Sequence, residues 1–180
     1  YALQQKQSIN PIVVTPVRGV IHRIITKLGK SPLLQLEIGK EQSLDELVRH
    51  LSSLAYSRTD LVERRGEFAV RGGIVDLFLP LSNHPIRIDF FGDEIEDLSY
   101  FEVADQRTFK PVVGSVDIFP CRELLLTKEI KHRAIEIKED YPAAAEMLEK
   151  ISEGMTFEGM ESLIPLLIDN TESLLSRMPE

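Results

Sequence analysis

Residues 65–97 read RGEFAVRGGIVDLFLPLSNHPIRIDFFGDEIED, and their alternation decides the fold. Two period-two runs, 67–71 and 74–79, are separated by Gly72-Gly73. A second pair, 86–91 and the run from Glu94 onward, is separated by Gly92-Asp93. A glycine in a two-residue connection supplies the positive φ of a primed turn, so both pairs are predicted to be tight hairpins. Within 86–91, Ile86, Ile88 and Phe90 share one face and Arg87, Asp89 and Phe91 share the other. The first face is apolar and belongs to a core. The second puts a phenylalanine beside an arginine and a carboxylate, where Asp89 is placed to orient Arg87.

Arg71 ends the neighbouring strand and can join that second face. Aromatics and arginines are the side chains that most often anchor protein interfaces. Alternation leaves two readings level. Either Phe91, Arg71 and Arg87 form an interaction surface, or Phe91 tucks under a loop while the arginines make internal ion pairs.

Outward from this core, the period stays at two from Tyr56 to about Leu125, which defines a mostly antiparallel β module at 56–125. Arg58, Glu63, Arg64 and Arg65 precede the first hairpin and suit a solvated edge that discourages sheet-to-sheet association. Asp105-Gln106-Arg107-Thr108 interrupts two strands and reads as an internally bonded turn. The run 112–119 is apolar and ends at Pro120.

The segment 1–55 reads as PIVVT (11–15), a buried strand, then a helix carrying Val17, Val20, Ile21, Ile24 and Ile25, which ends near Gly29. A strand and a helix make half of an α/β layer, whose remainder lies outside the chain or comes from its other end. Residues 32–39 form a connecting strand. Ser43 with Glu46 three residues later has the capping-box spacing for a helix with Leu44, Leu47, Val48, Leu51 and Leu54 on one face. In 126–180 the helical period returns at Ile130, Ala134 and Ile137, then at Ala145, Leu148 and Ile151. Pro165 breaks the apolar stretch 157–167, and a short helix is expected over 171–178.

Composition sets limits on function. An apolar content of 43% with 28% charged residues is that of a globular chain, and the net charge of −8 opposes general attraction to nucleic-acid phosphate. The single Cys121 excludes an internal disulfide and a cysteine-rich zinc site, and reads as a small buried hydrophobe. No apolar run is long enough to cross a bilayer, and the polar start YALQQKQSIN has no signal-peptide pattern, so a cytoplasmic polypeptide cut from a longer one is expected.

Catalysis finds little support. Gly29-Lys30-Ser31 resembles the end of a phosphate-binding loop, but Ile24 stands where that loop needs a glycine, and Pro32 follows where it needs a helix. His22, His50, His84 and His132 lack metal-ligand spacing. Asp93, Glu94, Glu96 and Asp97 are more simply the solvated end of a strand pair than an acid–base cluster.

The motifs YSRTDLVERRGEFAVRGGIVDLFLP (56–80) and HPIRIDFFGDEIEDLSYFEVADQRT (84–108) resemble the N-terminal region of bacterial transcription-repair coupling factors, which is itself similar to the excision-repair protein UvrB. The resemblance extends through PIVVTP, the helix at 43–54, IFPCREL and GMESLIPLL, and VADQRT with CRELLL is most like actinobacterial versions. It implies an α/β fold in which the β module is inserted between pieces of a degenerate RecA-like domain lacking the P-loop. It also implies that the module recruits UvrA, the damage-recognition ATPase, through Arg71, Arg87 and Phe91. No cofactor is expected in this segment. ATP and Mg, RNA polymerase and DNA would belong to other domains of such a parent. The alternative is the equivalent region of UvrB, which shares the VRG and FFGDEIE patterns. If Phe91 and Arg87 are contacts only, alanine at either should weaken UvrA binding with little loss of folding stability.

Overall fold

In the computed structural model, residues 34–173 are described continuously, together with 14, 16, 17, 19, 23–25 and 176. The chain is mixed α/β, with mostly antiparallel strands, and forms two units, Pro32–Leu125 and Tyr1–Ser31 with Leu126–Glu180.

The first described strand of all is β1 (Arg23–Ile25), which belongs to the second of these units. The unit at 32–125 begins with β2 (Leu34–Glu37) and α1 (Leu44–Ser53). Its main sheet follows: β3 (Ser57–Arg58), β4 (Glu67–Arg71), β5 (Ile74–Leu77), β6 (Ile86–Phe91), β7 (Glu94–Phe101) and β8 (Thr108–Pro111). These six strands pair in sequence order, all antiparallel except β3 with β4. Two of these pairings, β4 with β5 and β6 with β7, are the tight hairpins that the glycine turns predict. Gly72 (φ 60°) and Gly92 (φ 62°) take the positive φ at the first central position of the two hairpins. A β-carbon on Gly73 would also come within 3.1 Å of the Phe90 carbonyl oxygen, so a side chain there would press on the backbone of β6.

One irregularity matters for the core. In β7, Ile95 and Leu98 are both fully buried although they are three residues apart. A bulge reconciles them: Asp89 faces Asp97 and Phe90 faces Ile95, so Glu96 is the extra residue. The core on this side of the sheet combines Phe68, Val75, Leu77, Ile86, Ile88, Ile95 and Leu98 with Leu47 and Leu51 of α1 and Leu36 of β2. Ser43 occupies the N-cap of α1, but its side chain makes no capping hydrogen bond, so the capping box is not formed. Asp45 and Glu46 in the first turn still complement the helix dipole.

The apolar run at 112–119 does not extend the main sheet. Its strand β9 (Ser115–Ile118) pairs antiparallel with β2 in a separate two-stranded sheet. Cys121 packs at the margin of the core, and its amide donates to the Leu54 carbonyl. Burial pushes its thiol up to about 11, and burial with Cys121 as neighbour holds the Tyr56 phenol above its usual range while its hydroxyl donates to the Phe119 carbonyl. A thiol held protonated at neutral pH is a weak nucleophile, in keeping with a packing role.

The other unit contains α2 (Lys128–Ile137), capped by the Thr127 hydroxyl, and α3 (Ala145–Glu153), ended by Gly154 in the left-handed region. A 3₁₀ turn at Met160–Leu163 runs into α4 (Ile164–Leu167), where Pro165 sits in the first turn and costs no hydrogen bond. Two expected helices are corrected here. Val17 and Gly19 are helical, but Arg23–Ile25 are β1 and Thr171–Ser173 are β10, and the two pair antiparallel. Ile24 and Ile25 fit a helical spacing locally, and a partner strand 148 residues away overrides it. Of the buried strand expected at 11–15 only Val14 is described, and it is corrected there: Val14 is in no strand and is 92% exposed. Gly29-Lys30-Ser31 lies outside the described residues. Among the described residues, no helix is long and apolar enough to cross a membrane, and no group of side chains is arranged to hold a metal ion.

Candidate protein-interaction site

The face of the main sheet opposite the large core is divided. Register places Ala69, Asp76, Arg87 and Ser99 in one row across β4–β7, and Arg71, Ile74, Asp89 and Asp97 in the next. Behind the first row, Val62, Ala69, Phe78 and Phe101 form a small buried cluster under the loops at 59–65 and 102–107, with Val103 against it. The second row is only partly covered, with Ile74, Asp89 and Asp97 half-buried. Phe91 is 77% exposed and Arg71 is exposed.

At the boundary lies Asp76, the one fully buried charged residue among those described, 1% exposed. Both of its oxygens are used. Arg87 Nε donates to Oδ1 at 2.7 Å and Arg87 Nη2 to Oδ2 at 2.9 Å, while Arg71 Nη2 also donates to Oδ2. The third nitrogen of Arg87, Nη1, donates to the Gln106 carbonyl at 3.1 Å, and the guanidinium lies over the Phe101 ring at 4.9 Å. Paired first of all with Asp76, Arg87 is held more firmly protonated than usual. The turn at 105–108 is bonded internally as expected, and it also reaches outward. Gln106 takes a positive φ of 61°, which aims its carbonyl at Arg87, and its side-chain amide donates to the carbonyls of Val62 and Val103. Gln106 Oε1 is buried without a partner.

The geometry of this face combines features of both readings. Phe91 is not tucked under a loop, yet the arginines do make internal ion pairs. The carboxylate that orients Arg87 is Asp76, not Asp89. Asp76 sits among Ile74, Val75, Leu77 and Phe78, and nothing in its local sequence marks it as the partner of Arg87. The available signal was register: across the loop at 78–85 between β5 and β6, Asp76 stands directly opposite Arg87. Arg87 also differs from the expected free contact. Its side chain is only 17% exposed, so its replacement by alanine disturbs the fold as well as the surface.

Asp89 has a different role. Burial first, and then Asp97 directly across the strand pair, raises its carboxyl above the usual range, against the attraction of Arg87. A carboxyl raised on folding binds its proton more tightly in the folded chain. Its contribution to stability is therefore present below the unfolded value and is lost as pH rises through the folded one. Asp89→Asn is expected to raise stability at pH 7 by about 0.2–1 kcal/mol, the usual scale for directly opposed like charges. Below about pH 3 the difference should vanish. Urea melts at the two pH values check this, and a loss of stability at pH 7 would contradict it.

The charged run before β4 is solvated as expected: Arg58, Glu63, Arg64 and Arg65 are all exposed, and Arg65 Nε donates to the Ser82 carbonyl at 2.9 Å. His84 and His132 sit beside Glu102 and Glu136 at 3.4 and 3.3 Å, as surface histidines.

Known proteins resemble this chain over the same region. The transcription-repair-coupling factor of Mycobacterium tuberculosis is 41% identical over 174 residues, covering 92% of this chain and 14% of the relative. That of Bacillus subtilis is 31% identical over 190 residues, covering 94% of this chain and 16% of the relative. The UvrABC system protein B of Kosmotoga olearia is 37% identical over 118 residues, covering 65% of this chain and 18% of the relative. The chain thus spans less than a fifth of the length of these relatives. The UvrB interaction domain model matches residues 34–124, half of the chain. That range begins with β2 and ends beyond β9, taking in both hairpins and the divided face they carry, and the chain belongs to the UvrB interaction domain family.

Proposed function

We propose that this chain is the UvrA-recruiting segment of a transcription-repair coupling factor, and that the more open half of the sheet face is the recruiting surface. The observation that carries the reading is the 77% exposure of Phe91, at the end of a strand whose neighbouring arginines are held by a buried carboxylate. An exposed aromatic beside a fixed guanidinium loses little conformational freedom when a partner covers it. The coupling-factor relatives match over more of the chain than the UvrB relative does, which favours the former as parent. In such a parent, the flanking segments belong to a RecA-like domain without a P-loop. Polymerase contact and ATP-driven movement on DNA then reside in other domains, and the protein works in the bacterial cytoplasm. Bringing UvrA to a stalled polymerase is a binding task and needs no catalysis by this segment.

Titration of UvrA with the chain tests the reading. Phe91→Ala and Arg71→Ala are each expected to weaken binding by about 1–3 kcal/mol, the range of interface anchors. Folding stability should stay within about 0.5 kcal/mol for Phe91→Ala, because the side chain is largely solvated already. Wild-type affinity in both variants would reject the surface.

A further inference from the structure

The two arginines of the site are not equivalent. All three guanidinium nitrogens of Arg87 are bonded within the chain, to Asp76 and to the Gln106 carbonyl, and its side chain is 17% exposed. Arg71 commits a single nitrogen, Nη2, to Asp76, and its side chain is 46% exposed. Of the two guanidiniums that share Asp76, Arg71 is the one displayed, because Arg87 lies against the Phe101 ring under the 102–107 loop and also has Asp89 nearby on its own strand. Arg71 Nε and Nη1 remain available to a carboxylate on a partner, in the planar geometry that guanidinium recognises best.

Resting on the UvrA reading above, we infer that Arg71 alone of the two makes the guanidinium contact, to an acidic group of UvrA, and that Asp76 and Arg87 are positioning residues acting through it. Arg87 takes both oxygens of Asp76, which limits Arg71 to a single bond at Oδ2 and leaves its outer edge facing solvent. Without Arg87, Asp76 can draw Arg71 into a two-point bond and withdraw it from the surface. Without the Asp76 charge, nothing fixes Arg71 at all. Gln106 completes the device by occupying the last nitrogen of Arg87.

A double-mutant cycle decides this, using the full chain and purified UvrA. Arg87→Met keeps an unbranched side chain over Phe101, and Asp76→Asn keeps one acceptor. Each is expected to weaken binding about tenfold when Arg71 is present, and by less than about twofold in the Arg71→Ala background, since contacts acting as one unit are not additive. Arg87→Lys, which can still reach one Asp76 oxygen, should recover part of the loss. Nitrogen relaxation of the Arg71 Nε–H in the unbound chain is a separate readout and should show a more mobile guanidinium in Asp76→Asn. If Asp76→Asn does not fold, the Arg87→Met cycle alone carries the test. A cost of Arg87→Met that persists in full without Arg71 would make Arg87 a direct contact and overturn the inference, as would unchanged binding in both variants. Those results leave UvrA recruitment standing, whereas a wild-type chain that does not bind UvrA refutes recruitment and this inference together.

Discussion

Asp76→Ala is expected to cost about 3 kcal/mol of folding stability, the lower end of the range for removing one partner of a buried ion pair. The cost comes from a stranded charge. Arg87 is largely buried and bonds Asp76 at two points, so without the carboxylate its guanidinium has only the Gln106 carbonyl and the Phe101 ring to replace water. Arg71 is half exposed and can turn into solvent, which is why the figure sits at the low end. Removing both charges together should restore part of the stability. Asp76→Val with Arg87→Met replaces the pair by apolar groups of similar volume beside Ala69 and Phe101, and should regain most of the loss, because desolvation offsets much of a buried pair's attraction. Urea unfolding, with unchanged denaturant dependence, measures both. A single-mutant cost below about 1 kcal/mol would mean that the network is solvated in practice.

Phe68→Ala is expected to be more severe, about 3–5 kcal/mol, as for large-to-small changes at fully buried aromatics. Phe68 lies on β4 opposite Leu77, is wholly buried, and packs in the core between the sheet and α1. The surrounding strands are held by backbone ladders on both sides and can collapse only partly into the space left. Since domains of this size are stable by about 5–15 kcal/mol, such a loss takes up a large part of the total. The same experiment on Phe91 gives the contrast. Two phenylalanines on adjoining hairpins of one sheet, one at 0% and one at 77% exposure, should separate cleanly into a stability effect and a binding effect. A small stability loss in Phe68→Ala, below about 1.5 kcal/mol, would show that this core is not packed as described.

Much of the site was legible because strand alternation is local. The residues facing away from Ile86, Ile88 and Phe90 had to be Arg87, Asp89 and Phe91 once 86–91 was a strand, and the turn glycines fixed which runs pair. The helices at 44–53, 128–137 and 145–153 were legible for the same reason, since apolar spacing at three and four residues reports a buried stripe. The misassigned segments share a cause. Arg23–Ile25 and Thr171–Ser173 become strands by pairing with each other across nearly the whole chain, and no window of local periodicity contains both partners.

The sequence by itself determined the hairpins, the apolar face of the sheet, and the presence of Phe91 and Arg71 on the face opposite it. Those follow from a period of two and from glycine's access to positive φ, both properties of neighbouring residues. Only the tertiary structure decided how much of that second face is open. The 59–65 and 102–107 loops close over Ala69, Phe78 and Phe101 but stop short of Phe91. It also decided which carboxylate holds the arginines. Asp89 is two residues from Arg87 on the same strand, where side chains on one face stand well apart, while Asp76 is directly opposite on the next strand and buried. Charge pairing depends on distance through space and on the loss of water, and both are set by how the strands assemble.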